Sequence, residues 1–299
     1  MSNPSNTIDY NKLFKAYSNM THEREFSLLF GRIHISEWDK RNFEITLVEL
    51  LSKSDKIADN KGDYWRFGNF LSKKINDETV IFCRLGRIKG NKIETVFDES
   101  NRVFIPKHVD DERAIAYVNF VIYPKREVVI FEDKSPVIST KQFIKFFNTL
   151  YKNYFKVISD LKIDLMKESQ KVFDRIAELE TINSVSLHLM LPNPDNDEEY
   201  EGVKKLLEEL NAKNAKLNFK NEEGSLNVDK TLIGQGIHLG NAGYGDYEII
   251  GKRKDGNYDK IISQDEISRT IVQARDSPEE LINKFFEKIK NRLKKKEEE

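Results

Sequence analysis

An α+β fold in two halves is the architecture this chain predicts, on three observations. Strand-length stretches of alternating or wholly apolar residues dominate up to about residue 157, and beyond it strands alternate with helices. Two segments with a broad apolar stripe, after Ser139 and after Ser277, read as well-marked amphipathic helices. The expected boundaries are a β-rich antiparallel α+β half over 1–156, and a ferredoxin-like α/β half over 157–299 that ends in a C-terminal amphipathic helix.

The first half reads as follows. Residues 1–24 are polar and non-periodic, and 26–35 (FSLLFGRIHI) form a strand. Asp39 is placed to cap a helix whose stripe is Phe43, Leu47, Leu50 and Leu51. After a loop over 58–63, strands are expected at 64–71, 79–88 and 93–97, the last two joined as a hairpin across Lys89-Gly90-Asn91-Lys92. Residues 98–113 read as a polar loop. Strands 114–123 and 127–131 then pair across Pro124-Lys125-Arg126. Ser139 and Gln142 make a capping box, and Phe143, Phe146, Phe147, Leu150, Tyr151, Tyr154 and Phe155 give an aromatic face that must pack on a sheet.

In the second half, strand 160–165, helix 169–179 and strand 184–191 have the lengths of a βαβ unit, which predicts two parallel neighbours. Pro192 stops the strand, and Asp197 is placed to cap a helix carrying Tyr200, Val203, Leu206, Leu207 and Leu210. A short strand follows near 216–219. Residues 228–239 fit helix or strand, and 240–245 read as a glycine-rich turn. Strands 246–252 and 258–263 pair across Asp255-Gly256, read as a type I′ turn. Ser277-Pro278-Glu279-Glu280 opens the last helix, with Leu281, Ile282, Phe285, Phe286, Ile289 and Leu293 facing the core.

Composition narrows the function classes. With 38% hydrophobic residues, 19 Phe and 11 Tyr in 299 residues, the chain can bury a large core. The single cysteine, Cys83, excludes an intramolecular disulfide and a multi-cysteine zinc site. No signal-type segment and no run of ~20 apolar residues is present, so a cytoplasmic protein without a membrane span is expected. Forty-nine basic against 50 acidic residues leave a net charge of −1, which argues against wrapping long nucleic acid but not against a local basic face.

Candidate chemistry is sparse. Strand 128–131 runs into Glu132-Asp133-Lys134, and an apolar strand ending in Glu-x-Lys is how many metal-dependent nucleases present a carboxylate and a charge-stabilising lysine. That reading makes Glu132 and Lys134 catalytic, requires Mg²⁺, and needs a further acid, for which Asp98, Asp110 and Asp111 are the upstream candidates. An ordinary solvated strand end explains the same residues. Asp164 and His188 fall on the polar phases of their strands and would form an acid–base or metal pair if those strands were neighbours, while an exposed sheet surface explains them equally. Gly234-Gln235-Gly236-Ile237-His238-Leu239-Gly240 has the wrong glycine spacing for a phosphate loop. His22, His34, His108 and His238 lack metal-ligand spacing, and Cys83 reads as a small buried residue. Basic residues interleaved with aromatics offer a single-stranded nucleic-acid platform: Arg84, Arg87, Lys89 and Lys92, Lys125 and Arg126, and Lys252, Arg253 and Lys254.

Three segments carry a family resemblance: SVSLHLMLPNPD with the acidic helix after it, NAGYGDYEIIGKRKDGN, and VNFVIYPKREVVIFE. They resemble a bacterial family of unknown function whose members are of similar length and sit near phage-defence (abortive-infection) genes. The resemblance implies a role in antiviral defence, as effector or sensor. The expectation is therefore a binding or sensing component of a bacterial defence system that recognises nucleic acid or a phage protein and needs no cofactor. The alternatives are the Glu132/Lys134 nuclease with Mg²⁺ and a structural subunit held by a partner from the same locus.

Overall fold

The computed structural model describes residues 23–35, 43–90, 92–98, 103–109, 114–157, 160–192, 200–229 and 231–294, with backbone only between 91 and 115 and at 294. Its described residues form a mixed α/β protein with fourteen strands and six helices, and every strand pairing is antiparallel.

The first sheet holds β1 (Arg24–Ile35), β2 (Ile57–Ala58), β3 (Tyr64–Ile75), β4 (Glu78–Ile88), β7 (Ala114–Tyr123), β8 (Val128–Glu132), β9 (Leu161–Leu165) and β14 (Arg269–Ala274). Its order is β14-β1-β8-β7-β4-β3-β2, and β9 continues the edge of β1 that β14 begins. Helices α1 (Phe43–Lys53) and α2 (Thr140–Phe155) cover one face, and α6 (Pro278–Lys294) covers the other. A strand between two helical layers needs apolar side chains on both phases. All five residues of β8 are accordingly buried: Val129 and Phe131 point toward α2, Val128 and Ile130 toward α6. Phe131 stacks on Phe143 at 4.3 Å, and Phe120 meets Phe143 and Phe147 edge-on. The Ser139–Gln142 capping box is present, with both reciprocal hydrogen bonds made.

The second sheet is smaller, in the order β11-β10-β12-β13: β10 (Leu179–Met190), β11 (Asn214–Lys220), β12 (Gly245–Arg253) and β13 (Tyr258–Ile262). Helices α3 (Ser169–Ala177), α4 (Glu201–Glu209) and α5 (Leu232–Asn241) pack on one face through Val172, Val203, Leu207 and Ile237. The ambiguous segment before residue 240 is thus a helix. Gly236 lets it lie on β10, because a Cβ there would come within 2.4 Å of Leu187 Cδ1. The remaining pair, β5 (Lys92–Asp98) and β6 (Val103–Val109), forms a separate ribbon.

Several expectations are corrected. β9 and β10 are not parallel neighbours: β9 completes the edge of β1 while β10 pairs with β11 and β12 in the other sheet. The second sheet runs β-α-β-α-β-β rather than in a ferredoxin-like order, and β9, β14 and α6, expected in the C-terminal half, belong to the first sheet. Among the described residues β4 does not pair with β5, as the expected hairpin required. Instead β4 pairs with β3 across Asn76 and Asp77, both at positive φ as a two-residue type I′ turn requires, and the loop expected over 98–113 contains β6. The β12–β13 hairpin forms, but Gly256 (φ 86°) ends a three-residue loop, with Arg253 N–H donating to Asn257 O. Asp39, Asp197, Asp110, Asp111 and His22 lie outside the described residues, as do the side chains of Lys92, Asp98 and His108. No helix among the described residues is long and apolar enough to cross a membrane.

Candidate nucleic-acid interface and its adjoining cleft

Glu132 ends β8 in a closed polar corner beneath the start of α6. Its side chain is 4% exposed and accepts from Arg24 Nη1 at 2.9 Å and from Asn119 Nδ2 at 2.9 Å, while Lys134 Nζ stands 3.8 Å away. The additional acid of this corner is Asp276, which precedes α6 and is none of the three upstream candidates. It accepts from Arg84 Nη2 at 2.6 Å, Arg24 Nη2 at 3.0 Å and Tyr117 Oη at 2.8 Å. Those donors hold the Asp276 carboxyl below its ordinary range despite the opposing effect of burial. Arg24 thus bridges the two carboxylates with fixed positive charge. Lys134 lies over the Tyr117 ring at 4.4 Å, and burial together with Arg24 and Arg84 lowers its pKa against the pull of Glu132 and Asp276. Among the described residues no three His, Cys, Asp or Glu side chains gather around a cation position.

Of the nine basic residues read as a platform, the eight whose side chains are described do not form one patch. Arg84 and Arg87 project from opposite faces of β4. Arg84 is held by Asp276, and Arg87 reaches Asp63 Oδ2 through Nε at 2.9 Å and Nη2 at 2.6 Å. Lys125 pairs with Glu78 at 2.9 Å, and the Arg126 carbonyl accepts from the buried Arg32. Lys89 follows β4 in a half-buried position. Lys252, Arg253 and Lys254 sit on the other sheet, at the β12–β13 tip, with Arg253 paired to Asp259 at 2.5 Å.

The second sheet supplies the open surface. Among the described residues, helices cover only the face bearing Val185, Leu187, Leu189, Tyr247, Ile249 and Ile261. On the opposite face the register sets Lys220, Ser184, Ile250 and Lys260 in one row, Asn218, Ser186, Glu248 and Ile262 in the next, and Lys216, His188 and Asp246 in a third. Lys252 and Tyr258 extend it at the hairpin end, where Tyr258 is 72% exposed. Four lysines stand there against two carboxylates. Lys260 pairs with Glu248 at 2.7 Å, whereas Lys216, Lys220 and Lys252 make no ion pair with a described residue. Only Lys252 was legible as a candidate. The polar phase of 214–220 carries Lys216 and Lys220 at period two, a signal that would have found them.

At the Lys216–His188 end the face runs into a cleft of about 520 Å³ between the two sheets. Lys162 and Asp164 of β9 form one wall, and His188, Lys216 and Asp246 the other. Asp164 and His188 therefore do share a site, though from different sheets rather than as strand neighbours. Burial and nearby Asp246 push the Asp164 carboxyl up to about 6, against Lys167 and Lys162. Behind it, His34 Nε2 lies 3.5 Å from Asp164 Oδ2 and 2.8 Å from the Gly243 carbonyl. A carbonyl can only accept, so His34 carries its proton on Nε2. Burial lowers its pKa to about 4 against the Gly243 bond, with Arg32, Lys162 and Lys167 adding to the fall. Lys167, 2% exposed, donates to the Gly240 and Gly245 carbonyls and ties the α5–β12 turn to the end of β9. Gly245 enters β12 at φ 139°, and a Cβ there would come within 2.1 Å of the His188 carbonyl. Cys83 is fully buried with its thiol pushed up to about 12 by burial, which leaves it inert.

The family model described as Domain of unknown function (DUF4747) matches residues 2–291. No curated protein matches the sequence. The chain belongs to the DUF4747 family.

Proposed function

We propose that this DUF4747 member is a binding or sensing component of bacterial anti-phage defence that recognises single-stranded nucleic acid on the open face of its second sheet. One observation carries the reading: a four-stranded antiparallel sheet, backed by helices on one side only among the described residues, presents Lys216, Lys220, Lys252 and Lys260 around small polar residues, Ser184 and Ser186, on its central strand, with Tyr258 at its rim. Unpaired ammonium groups attract phosphates, and an exposed ring offers a base a stacking surface. The defence context rests on the sequence resemblance alone. A metal-dependent nuclease at Glu132 gains a second acid in Asp276, but Arg24 already spans both carboxylates, so Mg²⁺ belongs only to that weaker reading.

Fluorescence anisotropy against single-stranded and duplex RNA and DNA over a salt series tests the proposal. Single strands are expected to bind with an affinity that falls as salt rises. Joint substitution Lys216→Ala, Lys220→Ala and Lys252→Ala should flatten that dependence by about 0.7 in log–log slope for each phosphate that is no longer neutralised. Tyr258→Ala should cost on the order of 1 kcal/mol of binding. Absence of binding at low salt, or binding indifferent to all four changes, would overturn the reading. Co-purification of a phage protein or a partner subunit on this same face would replace the ligand class.

A further inference from the structure

The β10 row of the open face, Ser184–Ser186–His188, ends where β9 of the other sheet brings in Asp164. The geometry points to a metal-independent RNA-cleaving activity in this cleft, with His188 as general base, Asp164 as general acid, and Lys162 and Lys216 stabilising the charge that develops at phosphorus. The inference rests on the nucleic-acid reading of the open face and deepens it, since a strand lying along β10 would pass into the cleft.

Four features of the cleft fit this chemistry. An imidazole and a carboxyl line one cavity, and they come from different sheets. The lysines stand one on each wall, Lys162 on β9 and Lys216 on β11, where non-bridging phosphate oxygens gain negative charge. The Asp164 carboxyl, raised to about 6 by burial and Asp246, is half protonated near pH 6 and has a proton to give in mildly acidic solution. Its neighbours do not take over that role: His34 is neutral and committed to the Gly243 carbonyl, and the Lys167 ammonium is spread over two carbonyls besides Asp246.

In the reaction, His188 takes the proton of a ribose 2′-hydroxyl as the 2′-oxygen forms a bond to phosphorus. The bond from phosphorus to the 5′-oxygen of the next nucleotide breaks, and Asp164 gives that oxygen its proton. The products are a 2′,3′-cyclic phosphate and a 5′-hydroxyl end. His188 then returns its proton through solvent and Asp164 regains one, so no oxidant, metal or co-reactant is consumed. Deoxyribose lacks the nucleophile, and DNA should be bound but not cut.

The test uses the full chain, an end-labelled single-stranded RNA, and a DNA of the same sequence with one ribonucleotide, all in excess EDTA. Expected are cyclic-phosphate ends in the RNA and a single cut in the chimera at its ribonucleotide. Loss of rate by about 100-fold or more is expected in His188→Ala and in Asp164→Asn, with anisotropy binding retained in both. His188 is exposed and Asp164→Asn is isosteric, so neither change removes core packing. Intact RNA in EDTA while binding persists would overturn the cleavage inference and leave the binding reading standing, and so would cutting that either variant leaves unchanged. Cutting that needs Mg²⁺ and is lost in Glu132→Ala would transfer the activity to the other corner. Failure of all binding would remove the open-face reading and this inference together.

Discussion

The two sheets differ in how many of their faces are covered, and that difference separates scaffold from surface. The first sheet lies between α1 and α2 on one side and α6 on the other, and its central strands are apolar on both phases, as in VVIFE of β8. Its polar corner at Glu132 is closed by Arg24, Asn119 and Asp276, leaving little for a ligand to engage. Among the described residues the second sheet is covered once, and NAKLNFK of β11 alternates accordingly. Charges of the Glu132 corner are spent on one another, whereas three lysines on the second sheet make no ion pair with a described residue. A titratable motif on a doubly covered sheet is more readily a structural tie than a site. A plain alternating strand on a singly covered sheet is where a ligand can arrive.

The sharpest way to break this contrast is Glu132→Ala. Removing a buried carboxylate leaves Arg24 and Asn119 with Asp276 as their one remaining acidic partner, and a loss on the order of 3 kcal/mol is expected in urea unfolding. A loss under about 0.5 kcal/mol, the usual range for a surface change, would show that the corner does not hold the fold together.

At the seam between the sheets, Asp164→Asn should give a smaller effect that depends on pH. The folded-state pKa of Asp164 is raised from 3.8 to about 6, so its protonated form favours folding. That contribution is fully present below pH 3.8 and is lost as pH rises through about 6. The groups facing it are Asp246, Lys162, Lys167 and His34, and His34 stays neutral above about pH 4. The variant should therefore be more stable than the parent by roughly 2–3 kcal/mol at pH 8, with the difference falling below about 1 kcal/mol near pH 4 and vanishing at lower pH. An equal difference at both pH values would remove Asp164 as its source.

The smallest effect belongs to the open face. Tyr258→Ala should leave the midpoint of thermal unfolding essentially unchanged, within about 0.5 kcal/mol of stability, although the same change weakens binding. A larger destabilisation would mean that the ring is part of the packing rather than of a free surface.

Elements whose residues carry a strong local pattern were legible in advance. The Ser139 cap and the Phe143–Phe147 face, the stripe after Ser277 and the β12–β13 hairpin all appear where periodicity and turn chemistry place them. Strand partners were less legible. Asn76-Asp77 lacks the glycine that marks a tight turn, and so the β3–β4 hairpin was missed in favour of one at Gly90. The site suffered most, because Asp276 meets Glu132 from far along the chain and His34 meets Asp164 only through the pairing of β1 with β9.

By itself the amino-acid sequence determined the period of most segments, several of the caps that bound them, the single cysteine and the near balance of charge. These follow from interactions among residues a few positions apart, or from counting. Only the tertiary structure decided which strand sits beside which, which face of each sheet a helix covers, and hence whether a given lysine or carboxylate is paired, buried or free to meet a ligand. Those outcomes depend on contacts between residues far apart in the chain, and an alternating strand has the same pattern whichever neighbour it finds.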